Sequence, residues 1–182
     1  MSSIINFQLQ NKWCLWYHEL NSNDWGIDSY QKILELKNYE DLIFMLNQYD
    51  NINCGMFFLM KEDIKPIFED EKNIDGGYWS LRVSKKETSN YWKKIIYYLV
   101  VEGILENAED EEYINGISIG PKINNCIFKL WNGNYKKFNN SSLRTSIDVF
   151  KNNEIYYLEH KDKDKDKDKD KDKDKHKHKH KK

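Results

Sequence analysis

Apolar residues recur along this chain with two periods. Seven short stretches (12–18, 29–35, 55–60, 78–83, 113–119, 126–131 and 154–158) are rich in aromatic and β-branched residues and bounded by Asn, Gly and Asp, which predicts strands. Three others follow helical spacing. In 89–105, Trp92, Ile95, Ile96, Leu99 and Val100 fall on one stripe, with Thr88 or Ser89 as candidate cap. A second helix is predicted over 39–49, with Leu42, Leu46 and Tyr49 on one face. A third is predicted over 142–151, with Leu143, Ile147 and Phe150 inward and Asn140 or Ser141 as cap. This order predicts an α+β fold: a curved antiparallel sheet of about seven or eight strands with three helices on its convex face. The concave side stays open, and an open concave face is a place to bind something.

Composition divides the chain in two. Residues 161–182 contain only Lys, Asp and His and carry a net charge of +5. Such a segment cannot bury apolar surface, so a disordered tail follows a single domain over 1–160. A metal role for His176, His178 and His180 is the lesser reading of that tail. The remaining 160 residues hold 17 basic and 23 acidic side chains. A fold of net charge −6 lacks the broad basic face of a general duplex binder, so any nucleic-acid contact is small and local.

Cys14, Cys54 and Cys126 show no CxxC spacing, which argues for reduced thiols in a cytoplasmic protein and against a zinc site. The first residues lack a basic segment followed by an apolar run, so no secretory signal is expected. The longest apolar run, 95–101, is too short to span a bilayer.

Candidate chemistry concentrates in 65–79, KPIFEDEKNIDGGYW. An aromatic followed by Glu69 offers a flat face beside a carboxylate that accepts two parallel N–H bonds. Guanine presents two such donors on its Watson–Crick edge, the edge read when an unpaired base is recognised. Trp25 lies in a polar turn, NSNDWGID. It either folds back on the sheet rim or supplies a second stacking surface. Glu69, Asp70 and Glu71 as Mg²⁺ ligands of a nucleotide hydrolase are the weaker reading, because consecutive loop residues rarely converge on one ion. The chain has no P-loop or GxGxxG motif, and no enzyme activity, metal or cofactor is expected.

LQNKWCLWY at 9–17, Trp25, NYEDL at 38–42, KPIFEDEKN at 65–73, GGYW at 76–79, YW at 91–92 and Trp131 together resemble the initiation factor 4E family, over about residues 9–160. The resemblance implies a binding module for the 7-methylguanosine cap of mRNA, with the site on the concave side. It places the methylated base between Trp25 and Phe68, Glu69 and the Phe68 backbone N–H on the base edge, and Trp131 against the methyl group. The positive charge of the methylated base adds a cation–π contribution to stacking. Triphosphate contacts fall to Lys122 and to Lys129. Lys129 lies two residues beyond Ile127, which occupies a family basic position, and so points to the same side of the strand. Phe68 stands where the family usually has Trp, and Tyr78 where it has Arg.

The resemblance also implies docking of a 4G-type scaffold, or a divergent partner, on the convex face at Phe7, Leu9, Tyr39, Ile43, Tyr97 and Val101. Ile43 replaces a partner-binding tryptophan, Lys93 a leucine, and Val101 a glycine. The implied protein is a cytoplasmic monomer that promotes translation initiation and contacts no membrane. The alternatives are a cap-binding translational repressor, or a 4E-like interaction module without cap binding. The divergence fits a viral or protist source.

Overall fold

The computed structural model describes residues 8–49 and 52–160 of the 182-residue chain. Seven strands are found among them: β1 (Gln8–His18), β2 (Tyr30–Asn38), β3 (Met56–Lys61), β4 (Gly77–Ser84), β5 (Ile114–Pro121), β6 (Asn125–Asn132) and β7 (Ile155–Glu159). They form one sheet in the order β2-β1-β3-β5-β6-β4-β7, every pair antiparallel. Three α-helices are described: α1 (Tyr39–Gln48), α2 (Thr88–Val100) and α3 (Asp148–Lys151). The predicted α+β class and curved sheet are borne out. The 161–182 tail lies outside the described residues.

Strand parity sorts the side chains. Trp13 and Leu15 of β1, Phe57 and Leu59 of β3, Trp79, Leu81 and Val83 of β4, Ile117 and Ile119 of β5, and Phe128 and Leu130 of β6 share the main core with Leu42, Met45 and Leu46 of α1 and Trp92, Ile95, Ile96, Leu99 and Val100 of α2. The intervening positions face the other side. There a smaller cluster of Phe58, Met60, Ile64 and Trp131 gathers Trp16, Tyr30, Met56 and Phe68.

Helix α1 begins on a capping box. The Asp41 backbone N–H donates to Asn38 Oδ1 at 2.9 Å, and the Asn38 N–H donates to Asp41 Oδ2 at 3.3 Å. Helix α2 departs from expectation at both ends. Its N-cap is Glu87, without a side-chain cap bond, and the expected cap Thr88 lies inside the helix with its hydroxyl donating to the Ser84 carbonyl. It stops at Val100, five residues early. Glu102 takes a left-handed φ of 53°, and Gly103 N–H closes back on Tyr98 O at 2.9 Å.

The third predicted helix shrinks to the four residues of α3. Residues upstream of it pair with 104–106 instead: Leu143 bridges Leu105, Arg144 N–H donates to Ile104 O, and Glu106 N–H donates to Ser142 O. Glu106 Oε1 also takes the Thr145 N–H and hydroxyl. Asn139, and neither Asn140 nor Ser141, caps the short 3₁₀ turn before it. Leu143, Ile147 and Phe150 are buried as predicted.

Candidate functional site

On the face away from the helices, β1 presents Trp16 and His18 by parity. The chain then leaves the sheet through the turn that carries Trp25. His18 Nε2 lies 2.8 Å from the Asp24 carbonyl. A carbonyl only accepts, so Nε2–H is the donor in this contact. Asp24 Oδ1 accepts the Gly26 N–H at 2.9 Å, and Ser29 Oγ donates to Gly26 O at 2.7 Å. These bonds hold Trp25 flat on the buried His18 ring, with centroids 4.5 Å apart and planes 9° apart. The indole remains 50% exposed. Trp25 thus folds back on the sheet rim against His18 while half of its surface stays exposed.

The segment carrying Phe68 is built by its polar residues. Asp70 accepts the backbone N–H groups of Lys65 at 3.2 Å and Lys72 at 3.0 Å. Asn73, fully buried, donates from Nδ2 to the carbonyls of Lys65 at 3.0 Å and Ile67 at 2.7 Å. Asn115 of β5 donates to Asn73 Oδ1 at 2.9 Å and to Lys72 O at 2.7 Å, tying the loop to the sheet. Asp70 is thereby a loop former, and among the described residues no His/Cys/Asp/Glu group suits a metal ion. The double glycine that ends the loop answers a close approach: a Cβ at Gly76 would overlap the Asn132 carbonyl oxygen. Phe68 is half-buried and Glu69 exposed. Burial raises the Tyr30 phenol to about 12, and the negative charge of Glu69 adds to the rise, which places that carboxylate within electrostatic reach of Tyr30.

Trp131 forms the floor. It is 5% exposed, and its Nε1–H donates to Ser118 Oγ at 2.9 Å. His160, buried just past β7, lies 4.9 Å from Trp131, 5.4 Å from Tyr78 and 6.2 Å from Phe68, nearly parallel to the last. A continuous run of ring contacts thus joins Trp25 to Phe68 through His18, Tyr30, Phe58, Trp131 and His160.

Lys129 Nζ sits 4.4 Å above the Tyr78 ring, beside this floor. Lys122 is exposed in the β5–β6 turn, further along the same strands. The sequence pattern did not single out His18, Tyr30 or His160. His18 was readable from parity with Trp16. His160 carried no signal, because it follows the last apolar position and precedes the charged run.

On the helix side, Tyr39 (37%), Ile43 (54%), Tyr97 (51%) and Val101 (49%) are exposed apolar residues, joined by Phe44 and Tyr98, which the pattern did not single out. Leu9 departs from its expected place on a docking surface: it is 7% exposed and packs in the main core. Phe7 lies outside the described residues.

The sequence model for Eukaryotic initiation factor 4E matches residues 8–175. The chain is 30% identical over 138 residues to the eukaryotic translation initiation factor 4E of Dictyostelium discoideum, covering 71% of this chain and 53% of that one. A 4E homolog of Acanthamoeba polyphaga mimivirus is 20% identical over 139 residues, covering 64% and 51%. The chain spans about half the length of such curated relatives. The solved complex of C. elegans eIF4E-3 with the 4E-binding protein Mextli and cap analog superposes with a TM-score of 0.70 at 23% identity, covering 86% of this chain and 94% of that one. A schistosome eIF4E solved with m7GpppA and 4E-BP gives 0.73 at 18% identity, covering 88% and 92%. These two likenesses speak to fold. The sequence match over most of the chain speaks to kinship, and the chain belongs to the eukaryotic initiation factor 4E family.

Proposed function

We propose that this chain binds the 7-methylguanosine cap of mRNA and promotes translation initiation through a scaffold partner. The observation that carries the reading is the ring run between Trp25 and Phe68, with Trp25 open on one face and Glu69 exposed at the same place. The base stacks on Trp25 and Phe68, and Glu69 accepts its edge donors. Trp131 meets the methyl group, and Lys129 and Lys122 take the triphosphate. Stacking contributes roughly 1–3 kcal/mol per base. The charge of the methylated ring adds about 0.5–2 kcal/mol, a margin that plain GTP lacks. The protein acts as a binding module and returns its ligand intact.

Tryptophan fluorescence titrated with 7-methyl-GTP and with GTP tests this. The methylated ligand quenches emission and GTP does so weakly. Glu69→Ala removes a charged hydrogen-bond acceptor and lowers affinity by about 1.5–3 kcal/mol, roughly 10- to 150-fold. Equal responses to both ligands defeat the reading. The exposed Tyr39, Ile43, Tyr97 and Val101 support a helical partner segment on α1 and α2. Lys93, one turn before Tyr97, favours a second reading in which scaffold docking is lost and the protein represses translation by occupying caps. Pull-down with a scaffold peptide separates the two.

A further inference from the structure

The fold holds a hollow of about 620 Å³ where β1 begins and β3 ends. It stands at the far end of β1 from the Trp25 turn, since Lys12 and His18 are about 20 Å apart along the strand. Its lining includes neither the rings of the base floor nor the exposed apolar residues of α1 and α2. Three cations reach it from three elements: Lys12 from β1, Lys61 from the end of β3, and Lys72 from the loop that carries Phe68. Lys61 is the least satisfied of them. It is half-buried, and an ammonium has three donors. Among the described residues it makes one hydrogen bond, to the Glu112 carbonyl at 3.1 Å, and no ion pair. Lys12 and Lys72 do pair, with Glu62 at 3.4 Å and Asp63 at 3.8 Å, but on the rim, with the Asp63 side chain 79% exposed, where such contacts are weak. Burial lowers the Lys61 amine, the Glu102 and Glu111 carboxylates raise it in part, and Lys72 lowers it further. The Lys61 and Lys72 charges are thus within reach of each other, and each destabilises the other.

The lining narrows the occupant. Apolar surface is slight: Ile64 is buried, and one face of Tyr113 is taken by Lys137 Nζ, 4.4 Å over the ring. Among the described residues no His/Cys/Asp/Glu group suits a metal ion, and Glu62 and Asp63 are already paired. An anion answers the unspent Lys61 donors and the crowding of Lys61 by Lys72. A carboxylate accepts in one plane. A phosphate ester presents three strong acceptor oxygens in three directions, which matches point charges arriving from three elements. We infer that this hollow binds the phosphate group of a small phosphorylated molecule, with Lys61 at its centre and Lys12 and Lys72 closing on the oxygens. The hollow is several times larger than a phosphate ion, which leaves room for the rest of such a molecule. The site also reaches the Phe68 loop. Lys72 belongs to that loop, and Asn115, in the same lining, donates to the Lys72 carbonyl at 2.7 Å and to Asn73 Oδ1 at 2.9 Å. An occupant that draws Lys72 inward stiffens 65–73.

Calorimetric titration of the full chain with glycerol 3-phosphate, inorganic phosphate and glycerol, at two salt concentrations, tests this. Wild type takes up one equivalent of the ester, more weakly as salt rises, and gives no heat with glycerol. Lys61→Met keeps the apolar stem and weakens uptake roughly 10-fold or more, the loss of a charge-assisted bond. Lys72→Gln, at an exposed position that leaves the core untouched, weakens it about two- to fivefold. Hydrogen exchange of the 65–73 amides slows when the ester binds wild type and does not slow in Lys61→Met. Tighter binding of the ester than of inorganic phosphate identifies a phosphorylated metabolite as the occupant, and equal binding identifies free phosphate; both uphold the site. No uptake of either, or uptake unchanged in both variants, overturns it. Uptake with unchanged exchange overturns the link to the loop. None of the probes carries a methylated base, so the result stands apart from the cap-binding reading.

Discussion

Asn73 shows how much one side chain holds. Its amide donates to two carbonyls on the strand-free stretch before it and accepts from Asn115, all without solvent. Asn73→Ala strands the Lys65 and Ile67 carbonyls and the Asn115 donor. An unsatisfied buried polar group costs about 1–3 kcal/mol, so urea denaturation is expected to show at least that loss. The 7-methyl-GTP affinity falls as well, because Phe68 and Glu69 ride on this loop. Glu69 and Trp25 were legible as polar-loop residues with no place in an apolar period. Asn73 and Asn115 were not, because an asparagine that builds a loop and one that coats a surface look alike until the tertiary partner is known.

At the level of elements, all seven predicted strands appear because parity on a half-covered sheet leaves a local imprint. The third predicted helix failed for a non-local reason: residues 142–145 satisfy their backbone groups against 104–106, some forty positions away. That junction also buries Glu111 of the 3₁₀ segment Ala108–Tyr113, whose Oε1 accepts the Leu105 N–H at 2.6 Å. Burial outweighs the backbone bonds and pushes its carboxyl above the usual value. A raised acid is easier to keep protonated in the fold than in the open chain. Its favourable contribution is therefore full below the unfolded value near 4.5 and is lost as pH climbs through the folded one. Glu111→Gln keeps an acceptor and removes the titration. Its unfolding free energy, set against wild type by denaturant melts, is expected to gain on wild type as pH rises above about 4.5 and to level off once the folded carboxyl has ionised.

For the whole molecule, the division at residue 160 separates a net −6 body from a +5 tail. Deleting 161–182 is expected to leave the melting temperature within about two degrees, because the deleted residues carry no apolar side chain to bury. Binding of a long capped RNA weakens at low salt while 7-methyl-GTP binding barely changes, as filter binding across a salt series would show. A large loss of melting temperature would place the domain boundary later. The sheet itself braces the Trp25 turn, through the His18 stack and the bond to the Asp24 carbonyl. That brace has a consequence in time. A ring already standing in position gives an arriving ligand no opening step to wait for. Stopped-flow traces are expected to follow a single exponential whose rate rises linearly with 7-methyl-GTP concentration, at about 10⁷ M⁻¹s⁻¹ or faster. Weak caps would then differ from strong ones in how long they stay, and hardly at all in how soon they arrive.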